Sequence, residues 1–122
     1  MKISEIQEIL GARMLTSCED MGREVHNACG SDMMSDVLAY VKDQAVLVTG
    51  LTNPQVVRTA SMMDMVCIVF VRGKKPDDAI LRLAEDMDIT VMATDHTMFT
   101  ACGLLYESGL RGGVGTHPGK QA

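Results

Sequence analysis

The sequence predicts an α/β fold: a single domain whose three-layer-like open sheet has a largely parallel core of βα repeats. Three short apolar runs, residues 45–49, 65–71 and 89–93, end in turn residues, and each is followed by a segment with helical spacing. Short β-rich runs separated by helical patterns are typical of βαβ units. The runs are apolar throughout, which indicates strands covered on both faces. The loops that follow parallel strands meet at one edge of the sheet, where open α/β sheets bind ligands.

Composition and charge exclude several classes of protein. The chain has 122 residues, of which 47% are hydrophobic, enough for one folded domain. Its net charge of −5, with two Tyr, two Phe and no Trp, argues against nucleic-acid binding, which uses basic faces and stacking aromatics. No apolar run approaches the roughly 18 residues that cross a membrane, and the first residues do not resemble a secretion signal. We therefore expect a cytoplasmic protein with no membrane or nucleic-acid partner.

The cysteines predict reduced thiols rather than disulfides or a metal centre. The four cysteines form no C-x-x-C pair, and buried free cysteine packs as a small hydrophobe. An alternative combines Cys18 and Cys29 with His26 and Asp32 as metal ligands. Structural zinc takes four ligands at tight pairwise spacing, which this set lacks, so we predict no metal and no cofactor.

The amino-terminal part of the chain is predicted to begin with a helix and two short strands. Ser4 and Gln7 have the spacing of a capping box, and Gly11 ends the helix that follows them. Residues 12–16 and 23–28 are the predicted strands, separated by a polar loop.

A second helix is predicted to begin beside a short polar segment. Ser31 is its expected cap, and Asp32 complements the positive end of the helix dipole. Its predicted buried stripe consists of Met33, Met34, Val37, Leu38 and Val41.

The two helices after the first and second apolar runs have proline at their start. Asn53 is the expected cap of one helix, with Pro54 at its first position. Pro76, followed by Asp77 and Asp78, is expected to repeat this arrangement.

The chain is predicted to end in one further helix and a tail. The last helix covers about residues 97–107, and glycines crowd the residues after it. We therefore predict one ordered domain over residues 1–110 and a flexible Gly-rich tail over residues 111–122.

Basic residues cluster at the predicted edge of the sheet, although the chain as a whole is acidic. Arg72, Lys74 and Lys75 follow the second apolar run, and His96 follows the third. Helix N-termini present free N–H groups and attract anions, so these loops predict a phosphate or carboxylate site. The alternative is that the lysines are solvated surface charge and the threonines are caps. The predicted ligand-binding residues are Thr49, Gly50, Arg72, Gly73, Lys74, Thr94, Asp95, His96, Thr97 and Asp32.

Catalytic motifs are absent from the sequence. Gly73 and Lys74 do not complete a P-loop, because Ile68 stands where the motif needs glycine and Lys75 where it needs Ser or Thr. The chain has no G-x-S-x-G elbow, and no G-x-G-x-x-G pattern follows a predicted strand. Asp95 is expected to cap a helix rather than to act as an acid or base. We predict no enzyme and no catalytic residue.

The three apolar runs and their loops carry a resemblance to a known family. The segments 46–50, 67–76 and 89–97 resemble the DRTGG domain, and the similarity covers about residues 1–110. These domains look like the N-terminal, non-catalytic domain of bacterial HPr serine kinase/phosphorylase. The resemblance implies an α/β regulatory module that commonly dimerises and is attached to enzymes such as CBS-domain pyrophosphatases. It does not imply kinase activity.

Three functions remain open from the sequence. The first is a regulatory or sensor module, a homodimer that binds a phosphate-bearing metabolite or nucleotide at the loops after the parallel strands. The second is a protein-interaction module without a small ligand, which uses a methionine-bearing face to act on a partner enzyme. That face would draw on Met33, Met34, Met62, Met63 and Met65. The third is a small enzyme that uses Asp95 and His96.

Overall fold

The computed structural model describes residues 1–39 and 43–112, which contain five helices and five strands. The helices are α1 (Ile3–Leu10), α2 (Met34–Val37), α3 (Pro54–Met62), α4 (Asp78–Asp86) and α5 (Met98–Glu107). The strands are β1 (Arg13–Met14), β2 (Asn27–Gly30), β3 (Ala45–Thr49), β4 (Cys67–Phe70) and β5 (Thr90–Ala93). Among the helices of these described residues, none is both long and apolar enough to cross a bilayer.

The strands form one sheet in the order β1-β5-β4-β3-β2. Strands β2 to β5 pair in parallel, whereas β1 runs antiparallel along the edge of β5. Every residue of β3, β4 and β5 is buried, as expected for strands with helices on both faces. The predicted α/β class with a largely parallel core is confirmed.

Alternate residues of the strands face two separate hydrophobic cores. On one face of the sheet, Val48 lies in a cluster with Ile6 of α1 and Leu105 of α5. On the other face, Leu47 lies in a cluster with Val57 of α3 and with residues of α4. This alternation produces three layers, helix–sheet–helix, in which the sheet is the shared wall of both cores.

Helix α1 begins at Ile3, so its cap position is Lys2, two residues before the predicted cap. The capping contact is made by Glu5, whose Oε1 accepts a hydrogen bond from the backbone N–H of Lys2 at 2.7 Å. The predicted capping box of Ser4 and Gln7 is therefore wrong. Gly11 ends the helix as predicted, with φ +58° in the left-handed region that glycine adopts readily.

The first two strands are shorter than predicted, and the second is displaced. Within the predicted strand 12–16, the strand in the structure covers Arg13–Met14. In place of the predicted strand 23–28, the structure has a strand over Asn27–Gly30. The displacement arises because Val25 donates its N–H to the Met1 carbonyl, at 2.6 Å, rather than to a neighbouring strand.

Helix α2 is a single turn rather than the longer amphipathic helix that the sequence predicts. Of the predicted stripe, Val37 is buried, whereas Met33 is 61% and Leu38 is 45% exposed. Val41 lies outside the described residues. Ser31 does not act as the cap: its Oγ accepts from the N–H of Met33 at 3.0 Å in a local turn before the helix.

Helices α3 and α4, which follow β3 and β4, each begin with a side-chain cap. The Asn53 side chain accepts from the N–H of Gln55 at 2.9 Å, and Pro54 is the first helical residue, as predicted. In α4 the cap is Asp77, so Pro76 precedes the cap and does not occupy the first helical position. Pro76 is buried at this point.

Helix α5 matches its predicted extent, and the residues after it return to the body of the domain. Leu110 is buried, and the Arg111 guanidinium lies 3.8 Å from the centre of the Tyr106 ring. Gly112 forms a parallel bridge with Ala28 of β2. The remainder of the predicted tail, residues 113–122, lies outside the described residues.

A first testable prediction concerns the contact between β2 and α5 at Gly30. A β-carbon on Gly30 would lie 2.7 Å from the Cys102 sulfur, so the sulfur or the helix must move. We expect Gly30→Ala to lower the free energy of unfolding by about 1–3 kcal/mol in a urea titration. In a Cys102→Ala background the same substitution should cost much less, because the blocking sulfur is gone.

Gly103→Ala is the matched control for this experiment. A β-carbon there meets no atom within 4 Å, and alanine favours a helix over glycine by about 1 kcal/mol. The same chemical change should therefore stabilise the protein at position 103. If Gly30→Ala costs as much in the Cys102→Ala background as in the wild-type protein, the steric explanation is wrong.

A second prediction concerns pH. The contact between Asp43 Oδ1 and His26 Nδ1, at 2.9 Å, and the N–H of Gln44 lower the pKa of the Asp43 carboxyl. Because this pKa is lower in the folded than in the unfolded protein, the ionised carboxyl stabilises the fold at pH values above the unfolded-state pKa. This stability is lost as the pH falls through the folded-state pKa. From about pH 5 to 3, wild type should therefore lose stability more steeply than Asp43→Asn. Asp86→Asn, an exposed position on α4, should follow wild type. Parallel curves for wild type and Asp43→Asn would contradict this assignment.

Candidate functional site

The three central strands end at the same edge of the sheet. Thr49 pairs in register with Phe70, and Phe70 with Ala93, so the loops after β3, β4 and β5 begin side by side. We call the residues of these loops, 50–53, 71–76 and 94–97, the carboxyl rim. The predicted meeting of these loops is confirmed by the parallel pairing.

Asp32 is held against the end of β3. Its Oδ1 accepts two hydrogen bonds, from the Thr49 hydroxyl at 3.0 Å and from the Gly50 N–H at 2.7 Å. Thr49 is fully buried, and its own Oγ1 accepts from the N–H of Leu51 at 3.2 Å. The carboxylate of Asp32 thus satisfies polar groups at the strand end, instead of answering the dipole of α2 as the sequence predicted. These partners are 17 and 18 residues away, and no local spacing signals them.

Gly50 lies close to both the Asp32 carboxylate and the Arg72 guanidinium. A β-carbon on Gly50 would lie 3.0 Å from Arg72 Nη2 and 3.6 Å from Asp32 Oδ1. The missing side chain therefore lets both charged groups approach the same stretch of backbone. Within residues 1–39 and 43–112, the Arg72 guanidinium has no hydrogen bond or ion pair, so its charge is available to a ligand.

The loop after β4 is fixed to the loop after β5 by backbone hydrogen bonds. Arg72 donates its N–H to the His96 carbonyl at 2.8 Å, and Gly73 donates to the Thr94 carbonyl at 2.9 Å. Both donors have left-handed backbones, with φ of +57° for Arg72 and +68° for Gly73. Glycine adopts this conformation freely, and its small size also leaves room for Asp95, whose Oδ1 would be 3.2 Å from a β-carbon on Gly73.

The residues after β5 have distinct roles. Thr94 is buried, and its hydroxyl donates to the Leu10 carbonyl at 2.8 Å, away from the rim surface. Asp95 does not cap α5, contrary to prediction: its Oδ1 lies 3.4 Å from Arg13 Nη1 in an exposed ion pair. The cap is Thr97, whose Oγ1 accepts from the N–H of Thr100 at 3.3 Å.

The side chains that remain available at the rim are mostly cationic. Lys74, Lys75 and His96 are exposed, and in the described part of the chain their side chains, like that of Arg72, have no hydrogen-bonded or ionic partner. Grouped cations without carboxylate partners attract phosphate or carboxylate groups. Arg72 and His96 thus come from adjacent loops, as the sequence predicted, although their side chains do not bond to each other.

The opposite edge of the sheet carries two clefts that the sequence did not reveal. One, of about 460 Å³, is lined by residues that include Ser17, Cys18, Glu85 and Thr90. Its polar groups bond to one another: Ser17 donates to Glu85 Oε2 at 3.2 and 3.3 Å, and the Thr90 hydroxyl lies 3.2 Å from the Cys18 sulfur. The second cleft, of about 570 Å³, lies beside it around Asp64 and Met87. The bonded partners are 68 and 72 residues apart in sequence, so no local sequence pattern predicts these contacts.

Two of the cysteines are poorly suited to chemistry. Burial raises the pKa of the Cys67 thiol, and partial burial raises the pKa of Cys102. Thiols of this kind stay protonated and weakly nucleophilic. Among the residues that the structure describes, no three His, Cys, Asp or Glu side chains are grouped so that they could hold a metal ion.

Comparisons with known proteins agree with this architecture. The structure is similar to the crystal structure of the CBS and DRTGG domains of the regulatory region of Clostridium perfringens pyrophosphatase complexed with its activator, diadenosine tetraphosphate. The TM-score is 0.70 at 20% sequence identity; the match covers 88% of this chain and 46% of that one, so this chain spans about half the length of the structure it matches. A comparison with curated proteins found no match. The DRTGG domain family model matches residues 5–108, and the chain therefore belongs to the DRTGG domain family.

Proposed function

We propose that this protein is a non-catalytic regulatory domain that binds a phosphate-bearing metabolite or nucleotide at the carboxyl rim and acts on a partner enzyme. The observation that carries the proposal is the group of available basic side chains, Arg72, Lys74, Lys75 and His96, at one edge of an acidic molecule. The proposed domain covers residues 1–110 of a cytoplasmic protein.

The arrangement of the rim suits an anion better than it suits catalysis. The Arg72 guanidinium offers several N–H donors in a planar fork that matches phosphate oxygens. The N-terminus of α5, whose first turn holds no acidic residue, adds backbone N–H groups and the positive end of a helix dipole. His96 and Asp95 lack a neighbouring nucleophile in the described chain, and Asp95 is already paired with Arg13. Binding without reaction is the activity that these groups support.

The comparisons support a regulatory role. The Clostridium perfringens structure belongs to a regulatory region, and its activator is a tetraphosphate. A shared fold makes the same kind of task a reasonable proposal for this chain. From the sequence pattern we also propose a relation to the N-terminal, non-catalytic domain of HPr serine kinase/phosphorylase.

A third prediction tests the anion site directly. Titration calorimetry with ATP at low salt should detect binding to the wild-type protein. Arg72→Ala should weaken it about 10-fold or more, because a charge-assisted hydrogen bond to phosphate is lost. Arg82→Ala, which removes an exposed arginine from the outer face of α4, should leave the affinity unchanged. Absence of binding to wild type, or equal losses in both variants, would contradict the proposal.

A second candidate function is a dimerisation or protein-interaction module. Phe99 is 88% and Tyr106 is 59% exposed, and both lie on one face of α5 with Gly103 between them. Large exposed aromatic side chains on one helix face are typical of contact surfaces. The predicted methionine face has less support, because Met63 and Met65 are buried.

A fourth prediction distinguishes the candidates. If the α5 face joins two copies, sedimentation velocity should show a dimer for wild type and a monomer for Phe99→Ser. Met62→Ser removes a side chain that is 57% exposed on α3 and should not change the sedimentation coefficient. A wild-type protein that is monomeric at all concentrations would remove homodimerisation from the proposal while leaving the anion site intact.

A further inference from the structure

We propose that Asp32 makes the carboxyl rim selective for phosphates that carry hydroxyl groups, nucleoside phosphates or sugar phosphates, over inorganic polyphosphates. This inference rests on the proposed function, since it assumes that a phosphate binds beside Arg72. It concerns the role of the Asp32 carboxylate, which lies near the Arg72 guanidinium at Gly50.

The Asp32 carboxylate is a fixed acceptor with one oxygen to spare. Its Oδ1 is held by the Thr49 hydroxyl and the Gly50 N–H, at 3.0 and 2.7 Å. Two donors from the end of a buried strand hold the carboxylate in place. The other oxygen, Oδ2, accepts no hydrogen bond from the described residues, and the side chain as a whole is exposed. The protein thus presents an oriented acceptor to solvent.

The position of the Asp32 carboxylate determines which chemical groups a ligand needs at this site. A β-carbon on Gly50 would lie 3.6 Å from the Asp32 carboxylate and 3.0 Å from the Arg72 guanidinium, yet among the described residues these two groups form no ion pair with each other. A ligand that contacts both groups needs an anion at one end and a hydrogen-bond donor at the other. Inorganic polyphosphate at neutral pH offers negative charge at both ends, so the carboxylate repels it. A ribose or sugar hydroxyl donates to a carboxylate, and acidic residues bind ribose in this way in other nucleotide sites.

Asp32→Asn tests this inference because it can keep the hydrogen bonds from Thr49 and Gly50. The asparagine oxygen still accepts from Thr49 and Gly50, while its NH₂ replaces the outward acceptor with a donor and removes the charge. Calorimetric titrations would use ATP, ribose 5-phosphate and inorganic triphosphate on wild type and on this variant. Asp36→Asn, an exposed acid of α2, is the matched control for loss of one negative charge.

The expected result has two parts. Wild type should bind ATP at least tenfold more tightly than inorganic triphosphate, which carries the same number of phosphates. Asp32→Asn should reduce that ratio tenfold or more, with triphosphate bound as well as before or better, and Asp36→Asn should keep the wild-type ratio. Binding of ribose 5-phosphate shows that the sugar phosphate suffices and supports the inference, whereas binding of ATP alone shows that the base provides the selectivity and counts against it.

The outcomes that overturn the inference differ from those that overturn the proposed function. Equal wild-type affinities for ATP and triphosphate, or equal losses for both in Asp32→Asn, would show that Asp32 does not select, although the anion site would stand. If neither ligand binds wild type, the proposed function and this inference both fail. Equal wild-type affinities for ATP and triphosphate overturn the inference without any variant, so it can still be refuted if Asp32→Asn does not fold.

Discussion

The parallel pairing of β3, β4 and β5, buried on both faces, is the constraint on which the rest of this structure depends. Because the three strands run in the same direction, their exits lie side by side and bring residues 50–53, 71–76 and 94–97 together. Backbone groups inside such a sheet have no access to water, so they must pair in register. The carboxyl rim is thus a consequence of the core, and its loops stay positioned as long as the two hydrophobic clusters on either face are intact.

The sequence predicted this central part well, for a physical reason. Strands buried on both faces are apolar at every position, and that signal is local and continuous. The edge elements lack it: β1 and β2 are half-covered, and their ends are set by partners far along the chain, such as Met1 for Val25. The predicted length of α2 is too great because its apolar residues follow a helical period, although Met33 and Leu38 find no core to enter.

The structure brings together the loops that carry the predicted site residues, and the individual side chains divide into two groups. Chain order alone places Arg72 and His96 in loops after neighbouring parallel strands. The roles of Thr94, Asp95 and Asp32 depend on contacts that sequence cannot show: Thr94 bonds to Leu10 across 84 residues, and Asp95 to Arg13 across 82. A buried hydroxyl needs a hydrogen-bond partner, which for Thr94 is the Leu10 carbonyl. The structure therefore separates residues that build the rim from residues that face outward.

The backbone at Arg72 gives an independent reason to regard the rim as more than structural. Among the described residues, three other than glycine have a left-handed φ: Asp64, Arg72 and Asp88. Asp64 and Asp88 each follow a helix, where the hydrogen bonds from Met65 to Ala60 and from Ile89 to Ala84 close the helix end and favour that conformation. Arg72 follows a strand instead, and with Gly73 it forms a tight turn closed by the hydrogen bond from the Lys74 N–H to the Val71 carbonyl at 3.1 Å. The left-handed conformation costs an arginine about 1 kcal/mol. Glycine would avoid that cost, as the adjacent Gly73 does. An arginine at this position therefore costs stability, although its guanidinium lies beside Gly50 at the rim, where we propose that an anion binds.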